Sequence, residues 1–239
     1  MSAEFSEDNA VSPADSGAFV RRRVQCAGPG GLHRISYLEW GRRDNPRVLL
    51  CAHGLTRCGR DFDFLAQALC ADYRVVCPDF PGRGESEWLK NPVDYNMPLY
   101  LADMLTLIAR LDVEKLDWLG TSMGGLVGMV LASLPDNPIG KLVLNDAGPL
   151  VTAVSLDRIG EYVGQAPVLP SMAAAEMLVR AVSAPFGPHS DAEWRFLTEH
   201  VVRTREEGGV VFRYDPAIAV AFNADRPHKD IELWPVYDA

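Results

Sequence analysis

Leu116-Asp117-Trp118-Leu119-Gly120-Thr121-Ser122-Met123-Gly124-Gly125 is the stretch on which the fold of this chain turns. Leu116 to Gly120 reads as a strand. Met123 to Leu134 is apolar nearly all round, which marks a helix buried at the centre of a domain. Gly-x-Ser-x-Gly between them leaves Ser122 alone to turn strand into helix. Glycine at 120 and 124 permits a tight turn with a strained centre, because side chains there would collide with the neighbouring strand and helix. Such a turn lifts the Ser122 hydroxyl out at the top of the sheet. It also puts the Met123 N–H at a helix N-terminus, where it can donate to a developing oxyanion. The plain alternative is a glycine-rich turn without chemistry. The motifs on either side weigh against it.

Working back towards the N-terminus, Asp79-Phe80-Pro81-Gly82-Arg83-Gly84-Glu85-Ser86 follows the short apolar run Tyr73 to Cys77. One Pro and two Gly make a rigid turn, expected to shape the rim of a site. Further back, His53-Gly54-Leu55 follows Val48 to Ala52, a run apolar enough to be covered on both faces. Gly54 permits a turn at the strand's end, and the Leu55 N–H can supply a second oxyanion donor. His53 is expected to order this loop, with a catalytic role as the alternative.

Phe19 to Cys26 and Leu32 to Trp40 are rich in strand formers and flank Gly28-Pro29-Gly30-Gly31, the pattern of a hairpin. Apolar residues fall at helical spacing over Asp61 to Leu69 and again after Asn96, a capping residue with Pro98 behind it. Leu142 to Leu144 is a further strand. Strands therefore alternate with helices, as in an α/β domain with a mostly parallel central sheet flanked by helices. Beyond Gly148 strands thin out. Met172 to Val182 reads as a helix, Val210 to Tyr214 as extended chain, and Ser190-x-x-Glu193 as a capping box opening another helix.

The three motifs, in this order and each at a strand's end, resemble the α/β-hydrolase superfamily from about Phe19 to the end of the chain. The resemblance implies Ser122 as nucleophile, Leu55 and Met123 as oxyanion donors, and His53, Gly54, Gly120 and Gly124 as residues that shape the site. It implies a core over residues 18–149 holding strands one to six, and a helical lid over residues 150–233. Esters, lactones and related acyl compounds are the implied substrates, with no metal or organic cofactor.

The family orders its triad as Ser, then Asp or Glu, then His, with the last two usually after strands seven and eight. Here Leu142 to Leu144 is the sixth strand, and residues 234–239 can only begin a return to the core. The expectation is a C-terminally truncated member, with its sixth strand an exposed apolar edge. None of His33, His53, His189, His200 and His228 has the context of the triad histidine. Asp146, at the end of the sixth strand, is an alternative acid position; otherwise it caps the next turn. Two functions follow: a serine hydrolase working through an acyl-enzyme, or an inactive fragment or non-catalytic binding protein of the same fold.

Composition narrows the partners. Twenty-three Lys and Arg against 32 Asp and Glu give a net charge of −9 over 239 residues, which argues against nucleic acid or an anionic membrane surface. Arg21 to Arg23 form a local basic run, expected to be a solvated strand end. No apolar stretch reaches the roughly 18 residues that span a bilayer. Residues 1–17 are small, acidic and polar; they read as a disordered leader, without the basic and apolar regions of a secretory signal. Five cysteines, two of them inside strand-like runs, suggest reduced thiols and a cytoplasmic protein.

Overall fold

The structure is a computed structural model that describes residues 19–239; the leader expected over residues 1–17 lies outside the described residues. Strands β1 (Val20–Gly28) and β2 (Gly31–Trp40) pair antiparallel from Val20↔Glu39 to Gly28↔Gly31, and Gly31 takes φ 106° where the chain reverses. The basic run behaves differently from expectation. Arg21 and Arg23 are exposed, but Arg22 is half-buried and pairs with Glu39, which also accepts from Arg74 at 2.7 Å. A buried carboxylate draws the middle arginine out of solvent.

β3 (Val48–Ala52), β4 (Arg74–Pro78), β5 (Leu116–Thr121) and β6 (Ile139–Asn145) complete a six-stranded sheet of order β1-β2-β4-β3-β5-β6. The last four run parallel, and β2 meets β4 antiparallel. β3 and β4 are buried at every residue, and their side chains alternate between two cores. Val48, Leu50 and Val76 face Met104, Leu107, Val127 and Leu131. Leu49, Cys51, Val75 and Cys77 face Phe62 and Ala66. Helix α1 (Asp63–Leu69), entered through a 3-10 turn at Gly59–Phe62, therefore covers one face. Helices α2 (Met97–Leu111) and α3 (Met123–Ala132) cover the other. Asn96 caps α2 by accepting from the Leu99 N–H at 3.1 Å.

α3 stops short of Leu134 because Pro135 follows, and a residue before proline is pushed out of the helical region. β6 begins earlier than its apolar run, since Ile139 already pairs with Leu116 and Lys141 with Asp117, the register shifting at Gly140 between them. It forms the sheet's edge among the described residues, with Val143 51% exposed.

The following region opens with β7 (Leu150–Val151) and holds α4 (Ala153–Tyr162), α5 (Met172–Val182) and α6 (Asp191–Val201). Ser190 and Glu193 form the capping box of α6. A small hairpin, β8 (Val202–Thr204) and β9 (Val210–Phe212), precedes α7 (Ile218–Phe222). β10 (Ile231–Glu232) then pairs antiparallel with β7, and α8 (Trp234–Tyr237) packs against α3. Ala175, Val179, Trp194, Val201 and Val210 make this region's own core, into which Cys58 projects from the sheet side. No helix among the described residues is long and apolar enough to cross a membrane.

Candidate active site

Ala52 and Gly120 are register partners in the parallel pair β3–β5, so the segments leaving these strands emerge side by side. On one of them, Ser122 takes φ 51° and ψ −117°, a combination costly for a residue with a side chain. The surroundings impose it. The Ser122 N–H donates to the Asn145 carbonyl at 2.9 Å, and the Ser122 carbonyl accepts from Gly125 at 2.8 Å and Leu126 at 3.1 Å. Trp118, fully buried, donates from its indole to the Gly124 carbonyl at 3.0 Å. A Cβ on Gly120 would lie 2.3 Å from the Gly124 oxygen, and one on Gly124 would lie 2.2 Å from the Ala52 oxygen. Strand, turn and helix thus close on each other with no room for a methyl. Ser122 itself is partly exposed, and its hydroxyl makes no hydrogen bond among the described residues.

On the other segment, a Cβ built on Gly54 would lie 3.7 Å from the Ser122 Cβ. Gly54 departs from expectation in one respect. It has no positive φ, and a Cβ would meet only ordinary contacts, so the backbone does not require glycine there. Its smallness instead leaves space directly beside Ser122. Neither the Leu55 N–H nor the Met123 N–H has an acceptor among the described residues.

His53 is fully buried; its Nδ1–H donates to the Gly54 carbonyl at 2.7 Å and its Nε2 accepts from the Phe80 N–H at 3.0 Å. Both nitrogens are committed, which fixes the neutral tautomer. Burial pushes its pKa down to about 3, helped by the cations of Arg83 and Arg57. It orders the loop and has no lone pair to spare for a proton.

Arg83, missed in the sequence, is fully buried and donates to the carbonyls of Leu55 (2.8 Å) and Pro81 (2.7 Å) and to the Tyr100 hydroxyl (2.9 Å). Its guanidinium lies 5.0 Å from the centre of the Tyr100 ring. Gly82 and Gly84, at φ 78° and 55°, make the turn that carries it. Asp79 closes that turn by accepting from Gly59 at 2.7 Å and Glu85 at 2.9 Å; burial pushes its carboxyl up to about 6.

Asp146 sits at φ 51° and is exposed, and its carboxylate meets no histidine among the described residues. The histidines are engaged elsewhere. His33 pairs with Asp103 at 2.9 Å, His228 with Asp157 at 2.7 Å, and His189 with the Gly187 carbonyl at 3.0 Å. His200 stacks edge-on against Phe196. Among the described residues, the group of metal-ligating side chains close enough to share an ion is Cys26, His33 and Asp103, away from Ser122 on the hairpin and α2.

A model of the α/β-hydrolase fold matches residues 47–174. The chain belongs to the α/β-hydrolase family. It is 49% identical over 225 residues to a 3-hydroxybutyrate-oligomer hydrolase of Cupriavidus necator, an alignment covering 90% of this chain and 76% of that one. Two crystal structures share the architecture. A Rickettsia typhi protein has a TM-score of 0.84 at 37% identity, covering 91% of this chain and 77% of that one. An α/β hydrolase from Novosphingobium aromaticivorans has a TM-score of 0.81 at 33% identity, covering 92% and 77%. As an α/β hydrolase the chain falls in a family of hydrolytic enzymes, with an ester hydrolase among its close relatives.

Proposed function

We propose that this α/β hydrolase cleaves small carboxylic esters through an acyl-enzyme on Ser122, and that linear oligoesters of a short hydroxy acid are its substrates. The observation that carries the proposal is the strained backbone of Ser122, held beside the Gly54 loop with its hydroxyl unbonded. Ser122 Oγ attacks the ester carbonyl and passes its proton to a general base. The Leu55 and Met123 amides receive the oxyanion, and the alcohol departs with a proton from the same base. Water then attacks the acyl-enzyme and releases the acid. Residues 150–233 act as the lid over this site. The oligoester assignment draws on the relative named a 3-hydroxybutyrate-oligomer hydrolase.

A binding role without turnover remains the second reading. It is favoured by the five histidines, none of which bonds Ser122 among the described residues. Serine is a poor nucleophile until a base takes its proton. One experiment separates the two: incubation of the 239-residue chain and its Ser122→Ala variant with a chromogenic butyrate ester and with 3-hydroxybutyrate trimer. Turnover by the parent that disappears in the variant supports the enzyme. Trimer binding without turnover supports the second reading.

A further inference from the structure

We propose that Cys26, His33 and Asp103 form a binding site for a thiophilic divalent cation of the zinc type, which fastens the β1–β2 hairpin to α2. Three features of the fold converge on it. First, Cys26 and His33 are direct cross-strand partners, so the hairpin register alone sets the thiol and the imidazole side by side on the inner face. Second, Asp103 stands in the buried stripe of α2, one turn from both Leu99 and Leu107, and points its carboxylate at that pair. Third, one ligand atom from each residue lies within 4.8 Å of the other two, and His33 Nε2 is 2.9 and 3.0 Å from the two Asp103 oxygens. All three residues are buried, at 1%, 5% and 0% exposure, on rigid elements rather than loops.

The donor set selects the ion. One sulfur, one imidazole nitrogen and one carboxylate oxygen suit a borderline tetrahedral cation; magnesium and calcium call for oxygen throughout. Three protein ligands leave a fourth position for water. A cleft of about 300 Å³ has His33 in its wall, with Gly28, Leu99, Trp88 and Asp94, so the imidazole is the member of the trio nearest solvent. The entering cation displaces the thiol proton to solvent, takes the Nε2 lone pair of the neutral His33 tautomer that keeps its proton on Nδ1, and bonds an Asp103 oxygen in place of the His33–Asp103 hydrogen bond.

The test uses the whole chain after dialysis against a chelator. Cadmium titration is expected to produce the ultraviolet thiolate-to-metal absorption, saturating at one equivalent. Cys26→Ser, which leaves the His33–Asp103 pair in place, should abolish it. His33→Gln and Asp103→Asn should weaken binding by roughly tenfold or more, while Cys70→Ser, at the half-exposed thiol, should change nothing. Absence of the absorption, or an absorption that survives Cys26→Ser, overturns the proposal. X-ray absorption of the zinc-loaded parent probes the same site without any variant. A single sulfur with nitrogen and oxygen neighbours supports the site, and a shell without sulfur or with two sulfurs overturns it.

Discussion

Arg83 Nε donates to the Leu55 carbonyl oxygen at 2.8 Å, so a fully buried guanidinium braces the loop that stands beside Ser122. The same group holds Pro81 and Tyr100, and no carboxylate pairs with it among the described residues. Arg83 is thus a positioning residue for the loop. On the proposed mechanism, Arg83→Gln is expected to lower kcat for ester hydrolysis roughly tenfold or more with little change in KM, because a small displacement of the Leu55 amide is enough. It should also cost about 3 kcal/mol of stability, since buried acceptors lose their donor. Arg83→Lys should fall between. Steady-state kinetics with thermal melts would check this; an unchanged kcat in a folded Gln variant refutes the bracing role.

Gly124 and Gly54 should respond oppositely to one added methyl. Gly124→Ala forces a Cβ to within 2.2 Å of the Ala52 oxygen and is expected to cost about 3 kcal/mol or to prevent folding. Gly54→Ala meets nothing closer than 3.7 Å and should shift stability by less than about 0.5 kcal/mol. Its methyl would stand next to Ser122, so KM should rise for esters of longer acyl chains but not for acetate esters. Chemical denaturation and an ester series would measure both effects.

His53 makes the fold sensitive to acid. Its folded pKa of about 3 lies below the unfolded value of 6.5, so the unfolded chain binds more protons between these limits. The stability it contributes is complete above pH 6.5 and is lost as pH falls towards 3, at up to about 1.4 kcal/mol per pH unit. Asp79 acts in the reverse direction: its raised carboxyl, at about 6, loses its contribution as pH rises from 3.8 through 6. The His53 shift is the larger. Between pH 7 and pH 5 the two groups oppose each other, so the urea midpoint of the parent should fall on acidification while that of His53→Gln should not. Equal pH slopes would show that His53 is not the group responsible.

Tyr95 joins the core to the region after β6. Its hydroxyl donates to the Asp215 carboxylate at 2.6 Å and accepts from the Leu89 N–H at 2.8 Å. Tyr95→Phe leaves a buried carboxylate oxygen and an amide without their partner, at a cost of about 2 kcal/mol. Hydrogen exchange should show faster opening around 214–218 in that variant, while the sheet stays protected.

The sheet was legible because β3, β4 and β5 are short apolar runs bounded by turn residues, and the tight turn at Ser122 because glycines bracket it. Glycine has a physical reason at 120 and 124, in the close approach of strand and helix. At 54 the same residue type carried no such constraint, which motif reading could not tell. Arg83 escaped notice because a cation in a Pro-Gly-rich turn looks solvated; only the folded packing of Tyr100, Leu55 and Pro81 shows otherwise. Asp103 did leave a signal. It interrupts an apolar stripe at the spacing of Leu99 and Leu107, where a lone carboxylate calls for a buried partner. That partner, His33, is 70 residues away in sequence and no local pattern could supply it.

The two-residue pairing of β7 with β10 has a consequence for ancestry. It brings Leu150 and Glu232 into register, so the chain leaves and rejoins at points about 5 Å apart. If the segment between them is the lid proposed above, its replacement need not stretch or compress the host. Exchange of that cassette between cousins could retarget an unchanged reaction centre, so kinship read from the sheet and kinship read from substrate preference need not agree.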